Sequence, residues 1–500
     1  MTAISLPNKL RLLVLAFALL IGAIAGPSLA EESRRAPAES VTHHKLITRG
    51  SEIAFTATAG TLPLNDAKGE PQAWMSFVAY TRDGAARETR PISFVFNGGP
   101  GASSAYLHVG ALGPRVVDFG TDGRVPSPPA RLVDNPDSWL DLSDLVFIDP
   151  VGTGYSRTVV ASADANQRYW GVREDLQSFA AFIDLYLSRN GRVASPKYLV
   201  GESYGGFRAA RLAQVLSSDH GIGVAGLFLI SPVLEFSLLT GGTFEPLPHA
   251  FRLPSYAAST IAIKSTAMPE VAKLADVERF ALGPYLAALI SSPRDEAGLR
   301  SAHSEVARHT GLPQAIVDQY EARVPPGIFT KEMRRADKQI LSRYDGSIAG
   351  PDPYPESNGA RGDPIMDGLR PLLTGAMVDY LGTTLGLHTD LTYQLINGEI
   401  LRRWNWRSTL GSRDGAVGAA DELREALAAN ANLKVVVTHG ITDLVTPYLT
   451  SRYVIDRLPP SLTRDRVTLS VLPGGHMMYL RPVSRAGLRA DAARLYPPPL

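Results

Sequence analysis

A serine flanked by glycines at residues 201–206 has the residue types of a hydrolytic nucleophile. The segment reads Gly-Glu-Ser-Tyr-Gly-Gly, follows the apolar run 198–200 and precedes a helical pattern. In a strand, tight turn and helix of this kind, small residues two positions to either side let the serine hydroxyl stand clear of the backbone. Ser203 is therefore the candidate nucleophile, although many glycine-flanked serines are plain turn residues.

Two polar residues far downstream have the types that such a serine needs as its general base and its orienting carboxylate. Asp443 follows the apolar run 434–438, and His476 follows the run 467–472 in a Gly-Gly-His segment. Parallel α/β sheets place catalytic groups just beyond the C-terminal ends of their strands. The chain order Ser203, Asp443, His476 is also that of the α/β-hydrolases, and it predicts a catalytic triad.

A glycine-rich loop at residues 97–101 has the composition of an oxyanion-binding segment. It reads Asn-Gly-Gly-Pro-Gly and follows the apolar run 92–96. Acyl transfer needs two backbone N–H donors, one after the nucleophile and one from a loop after an earlier strand. The predicted donors are Tyr204 and Gly99. A phosphate-binding loop is the competing interpretation, but no Gly-Lys-Ser/Thr follows.

Short apolar runs bounded by turn residues predict the strands that position these groups. They occupy residues 53–58, 74–80, 92–96, 145–149, 198–200, 227–231, 434–438 and 467–472. Helical periodicity separates several of them, as over residues 172–183. This alternation predicts an α/β fold with a mostly parallel central sheet covered on both faces.

Between residues 236 and 407 the strand signal fades, and amphipathic helical patterns predominate over 271–286, 315–323 and 331–343. We interpret this segment as a helical cap insertion. The predicted organisation is a signal peptide at 1–30, a first part of the α/β domain at 31–235, the cap at 236–407 and a second part of the α/β domain at 408–500.

The N-terminus has the pattern of a secretory signal peptide. Lys9 and Arg11 precede an apolar run over residues 12–25 and a small-residue cleavage pattern before Glu31. A membrane anchor is the alternative, but this run is shorter than the ~20 residues that a span requires. We therefore expect a periplasmic or secreted protein with no stable membrane association once the signal is removed.

The overall composition excludes several classes of function. The chain has no cysteine, which excludes disulfides, thiol catalysis and cysteine-ligated metals. Its 50 Lys and Arg balance 49 Asp and Glu, so its charge gives no reason to expect a nucleic acid or an anionic membrane as partner. An exported chain without disulfides must gain its stability from the core, which suits a bacterial protein.

Five segments resemble, in order, the signatures of the serine carboxypeptidases. They are residues 97–104 (Asn-Gly-Gly-Pro-Gly-Ala-Ser-Ser), 112–114 (Leu-Gly-Pro), 135–139 (Asn-Pro-Asp-Ser-Trp), 149–156 (Asp-Pro-Val-Gly-Thr-Gly-Tyr-Ser) and 201–205 (Gly-Glu-Ser-Tyr-Gly). Asp443 and His476 extend the resemblance towards the C-terminus, whereas the insertion resembles the family's cap only in position and helical character. The resemblance implies an α/β-hydrolase fold and an enzyme that removes C-terminal residues from peptide substrates through an acyl-enzyme, with no metal and no cofactor.

The resemblance also implies a site for the terminal carboxylate of the substrate, carried over onto Asn97, Gly98 and Glu202. The chemistry is consistent, because an amide donates a hydrogen bond to a carboxylate. A desolvated, protonated Glu donates as well, whereas its anion would repel the ligand. The alternative is that Glu202 is a hydrogen-bonded polar residue that only stabilises the nucleophile elbow, the strand–turn–helix segment around residues 201–206.

The chain departs from the family pattern in three places. Ala111 stands where many members have a second Glu, Ala102 replaces a cysteine, and residues 231–233 (Ser-Pro-Val) replace Gly-Asn-Gly. We interpret the first departure as a change in carboxylate recognition and the others as changes in packing. An esterase or acyltransferase therefore stays open as an alternative, as does a non-catalytic peptide-binding protein. The oligomeric state and the side-chain preference at the cleaved bond stay open too.

Overall fold

The computed structural model describes residues 35–240, 244–265, 267–291, 296–407 and 417–496, so the predicted signal peptide lies outside the described residues. No helix within those ranges is both long enough and apolar enough to cross a bilayer. The strands are β1 Ser40–Thr48, β2 Ser51–Asn65, β3 Pro71–Arg82, β4 Ile92–Phe96, β5 Arg115–Val117, β6 Leu132–Asp134, β7 Asp144–Ile148, β8 Arg157–Thr158, β9 Lys197–Glu202, β10 Gly226–Ile230, β11 Gln339–Leu341, β12 Ala349–Pro351, β13 Lys434–Gly440 and β14 Val467–Leu472.

One large sheet organises the molecule, with strand order β1-β2-β3-β7-β4-β9-β10-β13-β14 and β8 paired to β3. Six neighbouring strands of this sheet run parallel to one another, namely β7, β4, β9, β10, β13 and β14. Strands β1, β2 and β3 form an antiparallel extension at the β7 edge. Each predicted apolar run coincides with one of these strands, although residues 149 and 231 lie just beyond the ends of β7 and β10. The strand order and the strand-to-helix turn after β9 are those of an α/β-hydrolase, so the predicted fold class is confirmed.

Helices cover the sheet and form most of the insertion. They are α1 Ala105–Leu107, α2 Ala163–Gln167, α3 Val172–Arg189, α4 Tyr204–His220, α5 Leu247–Ser265, α6 Ala275–Phe280, α7 Leu286–Ile290, α8 Glu296–Thr310, α9 Gln314–Gln319, α10 Pro326–Glu332, α11 Met366–Asp379, α12 Gly398–Arg403, α13 Ala420–Ala429, α14 Tyr448–Ile455, α15 Pro460–Thr463 and α16 Pro482–Leu495. Short π-helical turns span His108–Leu112, Ala281–Tyr285 and Tyr380–Thr384, and 3-10 turns span Trp139–Asp141, Phe236–Leu238, Val271–Leu274, Arg335–Asp337 and Met478–Leu480.

Two hydrophobic cores lie on the two faces of the sheet. Side chains alternate between them along each central strand, because successive residues of a strand point to opposite faces: Phe94 and Phe96 join one core, and Val95 joins the other. Helices α3, α4 and α13 cover the first face, and α11 and α16 cover the second. Burial on both faces explains why these strands read as continuous apolar runs.

A third core lies within the insertion, between helices α5 to α10 and the start of α14. The helical pattern over residues 331–343 is wrong as a single helix, since α10 ends at Glu332 and Gln339–Leu341 forms strand β11. Pairing with β12 buries Ile340 and Leu341, so a tertiary contact overrides the local periodicity here. Helix α11, in the second half of the insertion, packs on a core of the central sheet.

Candidate active site

Ser203 lies on a sharp turn between strand β9 and helix α4. Its backbone has φ 60° and ψ −122°, a strained combination for a residue with a side chain. A β-carbon at Gly201 would come 2.0 Å from the carbonyl oxygen of Gly205, and one at Gly205 would come 2.8 Å from that of Phe96. Both glycines are therefore required by the turn, which leaves the Ser203 side chain partly exposed at the C-terminal edge of the sheet.

His476 and Asp443 meet at the same edge, where β14 and β13 end. His476 Nδ1 and Asp443 Oδ2 are 2.9 Å apart, and both side chains are almost fully buried. The Val445 and Thr446 N–H groups donate to Asp443 Oδ1 over 2.8 and 2.9 Å. Burial alone would raise the pKa of Asp443, but the charge and hydrogen bond of His476 and the Thr446 N–H hold that pKa below its usual value.

The pairing with Asp443 also acts on the imidazole. Burial would lower the pKa of His476, but the charge and hydrogen bond of Asp443 raise it above the usual value. Because Asp443 accepts a hydrogen bond at Nδ1, the proton of a neutral ring belongs on Nδ1 and leaves Nε2 free to act as a base. The structure thus brings the two downstream residues of the predicted triad into contact.

Ser231 links this pair to the elbow. Its Oγ donates to the carbonyl oxygen of His476 over 3.0 Å, and Ser203 N donates to Ile230 O, one residue before Ser231, over 2.9 Å. Within the described part of the chain, Ser203 Oγ itself forms no hydrogen bond. Nucleophile–base hydrogen bonds are commonly long before a substrate is bound. The catalytic role of Ser203 therefore stays a prediction.

Thr446 is a member of the site that the sequence patterns did not predict. Its Oγ1 lies 2.7 Å from Asp443 Oδ2, 3.0 Å from His476 Nδ1 and 3.0 Å from Ser231 O. The Asp-x-x-Thr spacing after a strand is the signal that was available, since such a hydroxyl readily bonds a side chain three residues earlier. Thr446 thus contacts both the carboxylate of Asp443 and the imidazole of His476.

The predicted oxyanion-binding loop lies directly against the elbow. A β-carbon at Gly98 would come 2.5 Å from Tyr204 N, so only glycine allows this approach, and Gly99 has φ +107°. Among the described residues, the N–H groups of Gly99 and Tyr204 donate no hydrogen bond. They are available to an oxyanion, and their role as its donors stays a prediction.

Arg208, in helix α4, stabilises this loop through a hydrogen bond to its backbone. Its guanidinium is fully buried, pairs with Asp175 and donates from Nη1 to the Asn97 carbonyl oxygen over 2.7 Å. The ring of Phe179 lies 4.4 Å from the guanidinium carbon, a cation–π contact. No sequence pattern predicted this contact, because Arg208 and Asn97 are far apart in the chain.

Asn97 and Glu202, the predicted carboxylate-binding residues, contact each other beside Ser203. Asn97 Nδ2 donates to Glu202 Oε2 over 2.5 Å, while Asn97 Oδ1 accepts from the N–H of Leu107 and so fixes the amide orientation. The Tyr479 hydroxyl donates to the same Oε2 over 2.8 Å. Burial raises the pKa of Glu202 to about 7, against the lowering effects of His476 and the two donors.

The residues that depart from the family pattern lie in buried positions close to the site. Ala111 is fully buried in the π-helical turn His108–Leu112, and its carbonyl oxygen accepts from Asn135 Nδ2 over 2.8 Å. Ala102 is buried in the same core. Of residues 231–233, Ser231 makes the contacts described above, and Pro232 packs on Gly206.

Comparisons with known proteins agree with the motifs. Residues 50–234 match the sequence model of the serine carboxypeptidase family. Serine carboxypeptidase-like 26 of Arabidopsis thaliana is 25% identical over 274 residues, which cover 52% of this chain and 57% of that protein. Serine carboxypeptidase-like 33 of the same plant is 35% identical over 168 residues, which cover 31% of this chain and 33% of that protein.

These alignments span between a third and somewhat over half of the length of the two curated relatives. The resemblance to serine carboxypeptidases is confirmed at the level of the family. Among solved structures, proline iminopeptidase of Mycobacterium smegmatis aligns over 87% of this chain and 99% of that chain, at 15% identity and a TM-score of 0.36. With so low a score, the fold assignment rests on the strand order and the elbow described above.

Proposed function

We propose that this chain is a serine-type carboxypeptidase that releases C-terminal residues from peptides. Ser203 Oγ attacks the carbonyl carbon of the last peptide bond, and its proton passes to His476 Nε2. The oxyanion takes hydrogen bonds from the Gly99 and Tyr204 N–H groups, and Asp443 stabilises the imidazolium.

The acyl-enzyme forms when the tetrahedral intermediate collapses. The C–N bond breaks, and the proton on His476 passes to the nitrogen of the departing amino acid. Water then attacks the ester carbonyl while His476 accepts one of its protons. Collapse of this second intermediate returns the proton to Ser203 Oγ and releases the shortened peptide.

The pairing of a buried, protonatable carboxyl with an amide directly beside the nucleophile carries this proposal. A neutral Glu202 donates to a carboxylate, and Asn97 keeps a second amide hydrogen for the same ligand. An esterase with uncharged substrates has no use for a proton held at a pKa of about 7 in this position. The esterase or acyltransferase alternative is supported only by the fully buried Ala111, which stands where many family members have a second Glu.

Two experiments test the proposal. Wild-type protein, but not Ser203→Ala, is expected to be labelled by an organofluorophosphonate, and labelling in neither would favour a non-catalytic peptide-binding protein. A digest of an unbiased peptide mixture, analysed by mass, is expected to show stepwise loss of C-terminal residues. Cleavage of a peptide amide as readily as of the free acid would favour the esterase class, because carboxylate recognition would then contribute nothing.

A location outside the cytoplasm is part of the proposal. It is supported by the basic, apolar and small-residue pattern over residues 1–30, a segment outside the described residues. The mass of the mature protein, purified after expression with its own N-terminus, is expected to correspond to a chain that begins at Glu31. An intact N-terminus on a membrane-bound protein would indicate an anchor instead.

A further inference from the structure

Tyr479 contacts Glu202 although no sequence pattern predicted it. It lies in the 3-10 turn Met478–Leu480, three residues beyond His476, and its side chain is fully buried. A β-carbon at Gly110 would come 3.3 Å from Tyr479 Cε2, so the ring packs closely against Gly110. Gly110 is the neighbour of Ala111, where the family's second Glu is missing. Tyr479 thus brings a hydroxyl to Glu202 beside that position.

Both hydrogen bonds to the Glu202 carboxyl within the described part of the chain reach the same oxygen. Asn97 Nδ2 and the Tyr479 hydroxyl donate to Oε2 over 2.5 and 2.8 Å. The amide can only donate here, because its oxygen already accepts from Leu107. An oxygen that accepts two hydrogen bonds is the poorer place for a proton, so the proton of a neutral Glu202 belongs on Oε1.

We propose that Tyr479 is a positioning residue which, with Asn97, holds the Glu202 proton on Oε1 so that it is donated to the terminal carboxylate of a peptide. The proposal rests on the carboxypeptidase function proposed above. In this arrangement a neutral phenol replaces the second carboxyl that Ala111 lacks. Binding of the substrate carboxylate then requires one titrating proton, that of Glu202.

The groups that face Glu202 agree with a single titration. His476 lowers the pKa of Glu202 and Asp443 raises it. Burial raises the pKa of Tyr479 well above its usual value, and it raises that of Tyr106, which Glu202 also influences. Both phenols therefore stay neutral while Glu202 and His476 titrate. Tyr479 acts on the ligand only through the carboxyl that it contacts.

The variant Tyr479→Phe keeps the ring on Gly110 and removes only the donor. The proton of Glu202 can then occupy either oxygen, and the Glu202 anion loses a hydrogen bond. For a free-acid peptide we expect KM at pH 6 to rise about three- to tenfold, and the alkaline limb of kcat/KM to move up by about half to one pH unit. Hydrolysis of a simple ester is expected to keep its rate and its pH profile.

Tyr496→Phe is the matched control, because Tyr496 is also fully buried and its hydroxyl lies 2.7 Å from Ser93 Oγ. It is expected to leave both profiles unchanged. Replacing Tyr479 by 3-fluorotyrosine retains the hydroxyl and makes it a stronger donor, so the alkaline limb is expected to move down. Opposite shifts in the two Tyr479 variants are not expected from a merely structural role.

An infrared titration measures the Glu202 proton without relying on turnover. The band of the protonated carboxyl is assigned by its loss in Glu202→Gln, and its midpoint is expected to rise in Tyr479→Phe. Unchanged midpoints and overlapping peptide profiles would overturn the proposal. If wild-type protein cleaves no free-acid peptide, the proposed function fails, whereas the infrared midpoints still decide whether Tyr479 holds the proton of Glu202.

Discussion

Glu202 and Asp443 are two buried carboxyl groups of one site, at strand ends separated in the sheet by β10. Asp443 accepts two backbone N–H groups, the Thr446 hydroxyl and His476, and its pKa lies below the usual value. Glu202 accepts an amide and a phenol, and its pKa is raised to about 7. The two carboxyls are equally buried but have opposite pKa shifts, because the number and charge of their donors differ.

The two environments predict a different role for each carboxyl. A carboxylate that stays charged orients and stabilises the imidazolium throughout the reaction. A carboxyl that keeps its proton near neutral pH recognises an anionic ligand. Replacement of Asp443 is therefore expected to slow the hydrolysis of every substrate, and replacement of Glu202 only that of substrates with a free carboxylate.

Asp443→Asn is expected to have the largest effect. The amide keeps the shape but loses the charge and favours the wrong tautomer of His476, so kcat is expected to fall by about 10³–10⁴ for a free-acid peptide and for an ester alike. Steady-state kinetics with both substrates measure it. Asp144→Asn, which removes a buried charge paired with Arg90 and Arg192, is the control and should retain kcat. A loss confined to the peptide would mean that the two carboxyls have been assigned the wrong way round.

The second largest expected effect is the pH dependence of the unfolding free energy that Glu202 causes. Because the folded-state pKa of Glu202 is raised above its unfolded value, the folded protein binds more protons, and stability falls as pH rises from about 4.5 to about 7. This group alone accounts for about 3 kcal/mol of unfolding free energy over that window. Denaturant unfolding of wild type and Glu202→Gln at several pH values measures it. Parallel pH dependences for the two proteins would show that Glu202 is ionised throughout.

Glu202→Gln is also expected to change the pH profile of catalysis. In the wild type, kcat/KM for a free-acid peptide should decline about tenfold per pH unit above the pKa of Glu202, reaching roughly 100-fold at pH 9. The Gln amide is neutral at every pH and still donates, so the variant should lose this decline. On the acid side both proteins follow His476. The ester profile serves as the internal control, and a variant profile with the wild-type alkaline limb contradicts the role given to Glu202.

Asn97→Ala is expected to raise KM for a free-acid peptide by roughly tenfold, since it removes a charge-assisted hydrogen bond to the ligand. Ester hydrolysis should suffer much less. Initial rates over a range of concentrations of both substrates decide the matter. Equal losses of activity on the two substrates would mean that Asn97 only stabilises the loop, whose backbone also accepts a hydrogen bond from Arg208.

Thr446→Val should give the smallest effect, a fall in kcat of about threefold to tenfold on both substrates, because Asp443 loses one of its donors. Thr450→Val is the matched control on the same segment, since the Thr450 hydroxyl is buried without a partner in the described part of the chain. Equal kinetics for the two variants would remove Thr446 from the site.

Most of the architecture was accessible from the sequence. Strands buried on both faces appear as continuous apolar runs, and each predicted run is a strand of the sheet. The elbow was accessible too, because only glycine fits at Gly201 and Gly205 and the serine between them has a recognisable spacing. Periodicity failed over residues 331–343, where pairing between β11 and β12 decides the conformation.

The turns, strands and helices that carry the site residues, and the order of those residues along the chain, follow from local sequence spacing. Which further side chains complete the site depends on the fold. Ser231, Arg208 and Tyr479 reach it through contacts that sheet register and packing create between distant segments, as between Tyr479 and Glu202. The opposite pKa shifts of Glu202 and Asp443 also depend on the fold, because a pKa depends on burial and on the donors that folding brings to each oxygen.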